Sequence, residues 1–237
     1  MALIDWSVEG TVALLHMNSG ENRLNIEFAE SMLQALDDIE NKTSACSLVA
    51  ISRHEKIWSN GLDLEWLMPA IVNKDPRLAT FYKLQDRLMK RLVTYPLITV
   101  AAINGHAFGA GAIMACCFDF RFMRADRGFV CFPEIDINVP FLQYVPALIR
   151  KTMPANMLVK AGLMGTRFTA PELEKCDFLV KSCTIDDLVK DAVAFAAGLN
   201  KGRSIIAAQK SMMYSEIVRL VDTNSPPDLN PGEIPVK

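Results

Sequence analysis

The chain has 237 residues, 51% of them hydrophobic, with 27 acidic side chains against 25 basic ones and a formal charge of −2. The apolar content excludes disorder, and near-neutrality leaves no basic stripe of the kind that neutralises a phosphate backbone, so nucleic acid is not an expected partner. A chain of this length buries roughly three quarters of its unfolded surface, enough for one sizeable core.

The first predicted element is a hairpin, in which apolar runs at 3–8 and 11–17 flank the Glu9-Gly10 turn. After Asn18-Ser19-Gly20-Glu21-Asn22 a helix is expected, with Phe28, Met32, Leu36 and Ile39 on its apolar face. Residues 47–52 read as a short buried strand. A second amphipathic helix is predicted over 77–93, carrying Leu78, Phe81, Leu84, Leu88 and Leu92, and Pro96 marks its end. Residues 97–118 contain no charge and have the length of a membrane span, with Gly105 and Gly109 spaced as in a helix-dimer motif. The β-forming start at 97–100 and the turn residues Asn104, Gly105, Gly109 and Gly111 argue instead for strand, glycine-rich turn and buried helix. A strand near 118–123, a turn at 124–128 and another strand to Phe132 follow.

Beyond about Gln143 the pattern becomes mainly helical. Thr169 with Glu172, and Thr184 with Asp187, have the spacing of capping boxes. The last strong helix is expected over 203–221. The final sixteen residues, 222–237, hold four of the twelve prolines and read as an extended tail. Alternating strands and helices over 1–142 predict an α/β core with parallel crossovers, and 143–221 a helical region of the same domain.

Six cysteines show neither a CxxC pair nor a ligand spacing with the three histidines, so structural zinc is not expected. The N-terminus lacks a basic stretch followed by an apolar one, so disulfides are not expected, and the C-terminal Pro-Val-Lys is not a peroxisomal Ser-Lys-Leu-type address, so a cytoplasmic protein is the default expectation. The cysteines are read as small buried hydrophobes. No phosphate loop, dinucleotide fingerprint or serine-hydrolase elbow is present. His106, with no carboxylate beside it in sequence, reads as structural.

Two features carry chemistry. The first is a pair of tight segments, Trp58-Ser59-Asn60-Gly61-Leu62-Asp63-Leu64 and Gly105 to Gly111, each following a strand. A turn that opens onto a helix points free amides at one spot, and two such amides make an oxyanion hole. Either segment alone reads more readily as a plain loop-to-helix turn. The second is Glu134 in Phe132-Pro133-Glu134-Ile135, an acid among apolar residues whose desolvation raises its pKa. Such a group can take up a proton and return it. Taken alone, it reads just as well as a capping or surface glutamate.

These residues together resemble the crotonase, or enoyl-CoA hydratase/isomerase, superfamily, from about Trp6 to Met213. The resemblance implies a spiral of ββα units with a helical C-terminal region that trimerises, as a homotrimer or dimer of trimers. It implies an oxyanion hole from the backbone amides of Leu62 and Ala110, and Glu134 as the catalytic acid-base. It also implies a CoA arm threading past Asn22, Arg23 and Leu24 and past Ser59, Asn60, Gly61 and Asp63. The acyl pocket would be lined by Phe108, Ile113 and Phe141, and neither a metal nor a cofactor beyond the CoA thioester substrate is implied. Ile113 stands where hydratases of the family carry a second glutamate, and Leu142 where dienoyl-CoA isomerases carry an aspartate. The remaining single-glutamate pattern looks like that of the delta3,delta2-enoyl-CoA isomerases of fatty acid degradation. The alternatives are a hydratase using Asp63 or Asp136, another acyl-CoA reaction, or a non-catalytic scaffold of the same fold.

Overall fold

A computed structural model describes residues 2–226 of the chain. Two sheets organise it. A six-stranded sheet runs β1 (Ile4–Glu9), β2 (Val12–Met17), β3 (Ser47–Ser52), β5 (Ile98–Ile103), β7 (Phe120–Arg124) and β9 (Lys181–Cys183). Only the β1–β2 hairpin is antiparallel; the other four pairings are parallel. A three-stranded parallel sheet is built from β4 (Ile57–Ser59), β6 (His106–Phe108) and β8 (Val130–Cys131). Each of the consecutive pairs β3–β4, β5–β6 and β7–β8 therefore gives one strand to each sheet before the chain turns into helical structure. This is the repeating step of the spiral.

The helices follow from caps and periodicity. In α1 (Ile26–Lys42) the Asn25 carboxamide oxygen accepts the Phe28 amide at 2.9 Å, and Phe28, Met32, Leu36 and Ile39 are buried on one face. α3 (Arg77–Val93) buries Phe81, Leu88 and Leu92 against it. The Tyr95 hydroxyl beyond α3 donates to Leu36 O at 2.7 Å, tying the two together. The long uncharged run becomes β5, β6 and α4 (Ala110–Cys117), a helix whose residues are all buried. No helix among the described residues is long and apolar enough to cross a membrane.

The opposite face of the large sheet is covered by α8 (Ile185–Leu199). Leu188, Ala192 and Ala196 meet Val12, Val49, Val100 and Phe122, while Phe195 packs edge-on against Phe120. The main core cluster runs from Ile4 to Val221 and so includes the helical C-terminal region. Cys116, Cys117, Cys131 and Cys183 are buried, and Cys46 and Cys176 are half-buried, all as free thiols.

Four features differ from the sequence expectation. A helix α2 (Leu64–Val72), capped by the Asp63 carboxylate, follows the first loop. A short strand, β6, lies inside the glycine-rich segment. The helical C-terminal third contains β9, which extends the main sheet beyond β7. The last helix breaks at Tyr214 into α9 (Arg203–Met213) and α10 (Ser215–Asp222). Between α4 and α9 the chain forms α5 (Val145–Thr152), α6 (Ala155–Met164) and α7 (Ala170–Lys175), the last with the predicted Thr169–Glu172 capping box. At Thr184 the side chain accepts the Asp187 amide, so the hydroxyl half of that box is present. Of the proline-rich tail, residues 227–237 lie outside the described chain.

Candidate active site

The three strands of the small sheet are parallel, so their C-terminal ends lie side by side, and ligand sites in open α/β structures form beyond such ends. The chain leaving β4 is Asn60-Gly61-Leu62, that leaving β6 is Gly109-Ala110, and that leaving β8 is Phe132-Pro133-Glu134. All three predicted elements therefore meet at one edge. The β6–β8 pairing is extended by a Gly109 N–H to Cys131 O bond of 3.0 Å, which fixes the second loop against the strand that carries Glu134.

Two glycines make the approach geometrically possible. Gly61 sits at φ +78°, and a Cβ built on it would lie 2.6 Å from Phe108 O and 3.1 Å from the Ala110 nitrogen. The two loops touch backbone to backbone, with no room for a side chain. Gly109 has φ 51° and ψ −123°, a region reserved for glycine. A Cβ there would lie 3.7 Å from Glu134 Oε1, which places the carboxyl group directly across from the start of α4. Among the described residues the Leu62 and Ala110 amides have no hydrogen-bond acceptor, and Ala110 is the first residue of α4. Unpaired amides at a helix start are suited to an incoming oxyanion.

Glu134 lies in a single 3-10 turn, Pro133–Ile135, held by the bond from Val139 N to Glu134 O at 2.9 Å. It is 8% exposed, and its Oε2 has no hydrogen-bond partner among the described residues. Burial pushes its carboxyl group up to about 7, against a smaller opposing effect of its own backbone amide. A carboxylate with one oxygen unpartnered, poised near neutrality in an apolar wall, is equipped for proton transfer.

The cavity facing Glu134 has a volume of about 490 Å³. Phe108, Ile113 and Phe141 line it, as do Leu62, Gly61, Asn60, Arg23 and Leu142. A further part of its wall comes from Leu64, Leu67 and Met68 of α2 and from Tyr82 and Gln85 of α3. Sequence reasoning missed these five residues. The spacing of Leu64, Leu67 and Met68 after the capping Asp63 was a signal for the first three; nothing local marks Tyr82 and Gln85, which reach the cavity only through tertiary packing.

Several residues expected along the CoA arm are placed otherwise. Asn22 is fully buried, Leu24 and Ser59 are 3% and 1% exposed, and none of the three lines the cavity. Their side chains are spent within the protein, a correction to the expectation of ligand contact. Asp63 borders a separate shallow cleft and is committed to Asn25 Nδ2 at 3.0 Å and to the α2 cap. Arg23 lies at the cavity mouth, paired with Glu65 at 2.8 Å and Glu21 at 2.8 Å. His106 stacks near Phe108 and Phe129 rather than facing Glu134, and burial lowers its pKa. Lys210 is buried away from the cavity, donating to Leu97 O at 2.7 Å and paired with Asp119 at 2.6 Å. No group of three or more metal-ligating side chains is found among the described residues.

Residues 7–224 match the enoyl-CoA hydratase/isomerase family. Enoyl-CoA delta isomerase 3 of Arabidopsis thaliana is 27% identical over 208 residues, which cover 85% of this chain and 87% of that protein. Enoyl-CoA delta isomerase 1, peroxisomal, from the same plant is 35% identical over 133 residues, 55% of this chain and 53% of the relative, so that alignment spans about half of each. Human mitochondrial delta3-delta2-enoyl-CoA isomerase superposes with a TM-score of 0.84 at 22% identity, covering 93% of this chain and 86% of that one. That likeness is one of fold, and it agrees with the crotonase-like spiral built above. With the match extending over most of its length, the chain belongs to the enoyl-CoA hydratase/isomerase family.

Proposed function

We propose that the protein is a delta3,delta2-enoyl-CoA isomerase. The observation that carries this reading is the cavity's single buried acid. Among the described residues four charged side chains line the cavity, Arg23, Glu65, Glu134 and Asp136, and of these only Glu134 is buried. The two positions where related chemistries place a further acid are Ile113 and Leu142, both apolar and both facing the cavity. Holding and activating a water for addition to a double bond calls for two positioned acid-base groups. One buried carboxylate moves a proton between two carbons.

In the proposed reaction the Glu134 carboxylate removes a C2 proton from a 3-enoyl thioester. The electron pair of that C–H bond delocalises into the thioester carbonyl, and the negative charge on its oxygen is met by the Leu62 and Ala110 amides. The Glu134 carboxyl group then returns the proton to C4 as the double bond settles between C2 and C3. No atom is gained or lost. The apolar walls, including Ile113, Phe108 and Phe141, keep water from the intermediate. The names of the plant and human relatives support the same reading.

The deciding experiment is product identification after mixing the protein with a 3-enoyl-CoA and, separately, a 2-enoyl-CoA. Migration of the double bond without water incorporation is expected. Glu134→Gln is expected to reduce that rate by about 10²–10⁴-fold while leaving CoA-ester binding largely intact. Near-normal isomerisation in the variant, or hydration as the main reaction of the native protein, overturns the proposal.

A further inference from the structure

We propose that Asn22 is a positioning residue for the oxyanion hole, fixing the 58–62 loop so that the Leu62 amide points at the thioester oxygen. The inference rests on the reading of that amide as an oxyanion donor and adds a residue that acts through it.

Asn22 is inaccessible to solvent and adopts φ +50°, a left-handed conformation that asparagine tolerates better than most residues. Its side chain is fully used. The carboxamide oxygen accepts the Ser19 amide at 2.9 Å, and Nδ2 donates to Ser52 Oγ at 2.7 Å and to Trp58 O at 2.9 Å. Its own carbonyl accepts the Ser59 hydroxyl at 2.8 Å. One planar group thus supplies an acceptor and two donors, a combination limited to the carboxamide side chains.

The place of these bonds matters more than their number. The pairing of β4 with β6 shifts register between Ile57 and Ser59, so Trp58 sits at an irregularity in the ladder, and Asn22 binds the carbonyl exposed there. Two residues further along, Leu24 N donates to Gly61 O at 2.7 Å and Asp63 N to Leu24 O at 3.0 Å, and Leu24 pairs with Leu62 as an isolated parallel bridge. The Leu62 amide, between those two bonds, points away from Leu24 and remains free. Asn22 secures the root of the loop and Leu24 its tip. An oxyanion donor acts only when held at about 2.7–3.1 Å from the developing charge, so slack at the root is felt as lost polarisation of the carbonyl.

The test uses Asn22→Ala, Asn22→Gly and Ser52→Ala in the full chain. Two quantities are read beside the melting temperature: kcat and KM with a 3-enoyl-CoA, and the carbonyl stretching frequency of a bound 2,4-dienoyl-CoA. Asn22→Ala is expected to lower kcat at least about tenfold with KM within about threefold, and to reduce the carbonyl shift seen in the native protein. Asn22→Gly, which keeps the left-handed backbone, should restore neither. Ser52→Ala removes one acceptor and is expected to give a smaller change of the same sign. A raised KM at native kcat, full recovery by glycine, or an unchanged carbonyl shift in folded Asn22→Ala overturns the proposal. If that variant does not fold, a native kcat and carbonyl shift in Ser52→Ala overturns it. A native protein that shifts the carbonyl but isomerises nothing removes the isomerase reading and leaves this one standing; one that shifts nothing removes both.

Discussion

At the scale of the residue, Glu134 joins activity and stability in opposite senses. Its carboxyl group is raised by burial to about 7, and in the proposed reaction it acts as a base and must be ionised. The value of kcat/KM is therefore expected to rise about tenfold per pH unit below 7 and to level off above it, measured with a 3-enoyl-CoA between pH 5.5 and 8.5. For folding the sign reverses. Between the ordinary carboxylate range and about 7, the folded chain holds a proton that the unfolded chain has released, so stability falls as pH rises through that window. Glu134→Gln removes this loss, and at pH 8 the inactive variant is expected to melt above the native protein; a lower melting temperature there would contradict the assignment of burial as the cause. The acid itself was legible in sequence because Phe132, Pro133 and Ile135 surround it. The burial of Asn22 was not, since a polar side chain in a turn-rich stretch gives no local sign that Ser52 and Trp58, distant in sequence, will close over it.

At the scale of the element, the site is a property of three short strands of two or three residues each. Strands this short leave almost no periodicity, which is why β6 disappeared into a glycine-rich turn and β9 into a helical region. Long amphipathic elements were readable: α3 spans the expected 77–93 and β3 the expected 47–52. The loops were readable through their glycines, which carry a backbone requirement rather than a pattern. Gly109→Ala tests that requirement. The added methyl group meets no close neighbour, since its nearest atom is 3.7 Å away, but the backbone conformation excludes L side chains. The variant is expected to lose about 1–3 kcal/mol of stability in denaturant titration and to lose activity as the Ala110 amide turns away.

At the scale of the whole molecule, buried and half-buried cations join the C-terminal half of the chain to the helix ends of the first half. Arg203 of α9 donates to Ala45 O at 2.8 Å, Glu40 O at 2.6 Å and Thr43 O at 2.8 Å, satisfying carbonyls at the end of α1. Lys151 of α5 does the same for α4, donating to Cys116 O at 3.1 Å and Phe118 O at 2.7 Å beneath the ring of Tyr214 at 5.0 Å. Burial first, and the nearby Arg121 guanidinium second, lower this ammonium to about 8. Arg121 itself reaches Phe118 O at 2.8 Å and Phe178 O at 2.7 Å. Lys151→Met leaves the carbonyl of Cys116, and that of Cys117 to which the ammonium also donates at 3.5 Å, without their ammonium donor, and is expected to cost about 1–3 kcal/mol by chemical denaturation, with a lowered kcat although the side chain is remote from the cavity.

The α4 helix is only eight residues long, about 12 Å, with the Ala110 amide at one end and the Lys151 ammonium under Tyr214 at the other. In the proposed reaction, alignment of the Ala110 amide at one tip thus depends on how firmly the last helices are seated at the other. On slow heating, turnover is expected to fade while the circular dichroism of the two sheets is still intact, making enzymatic activity the earliest sensor of the chain's unravelling.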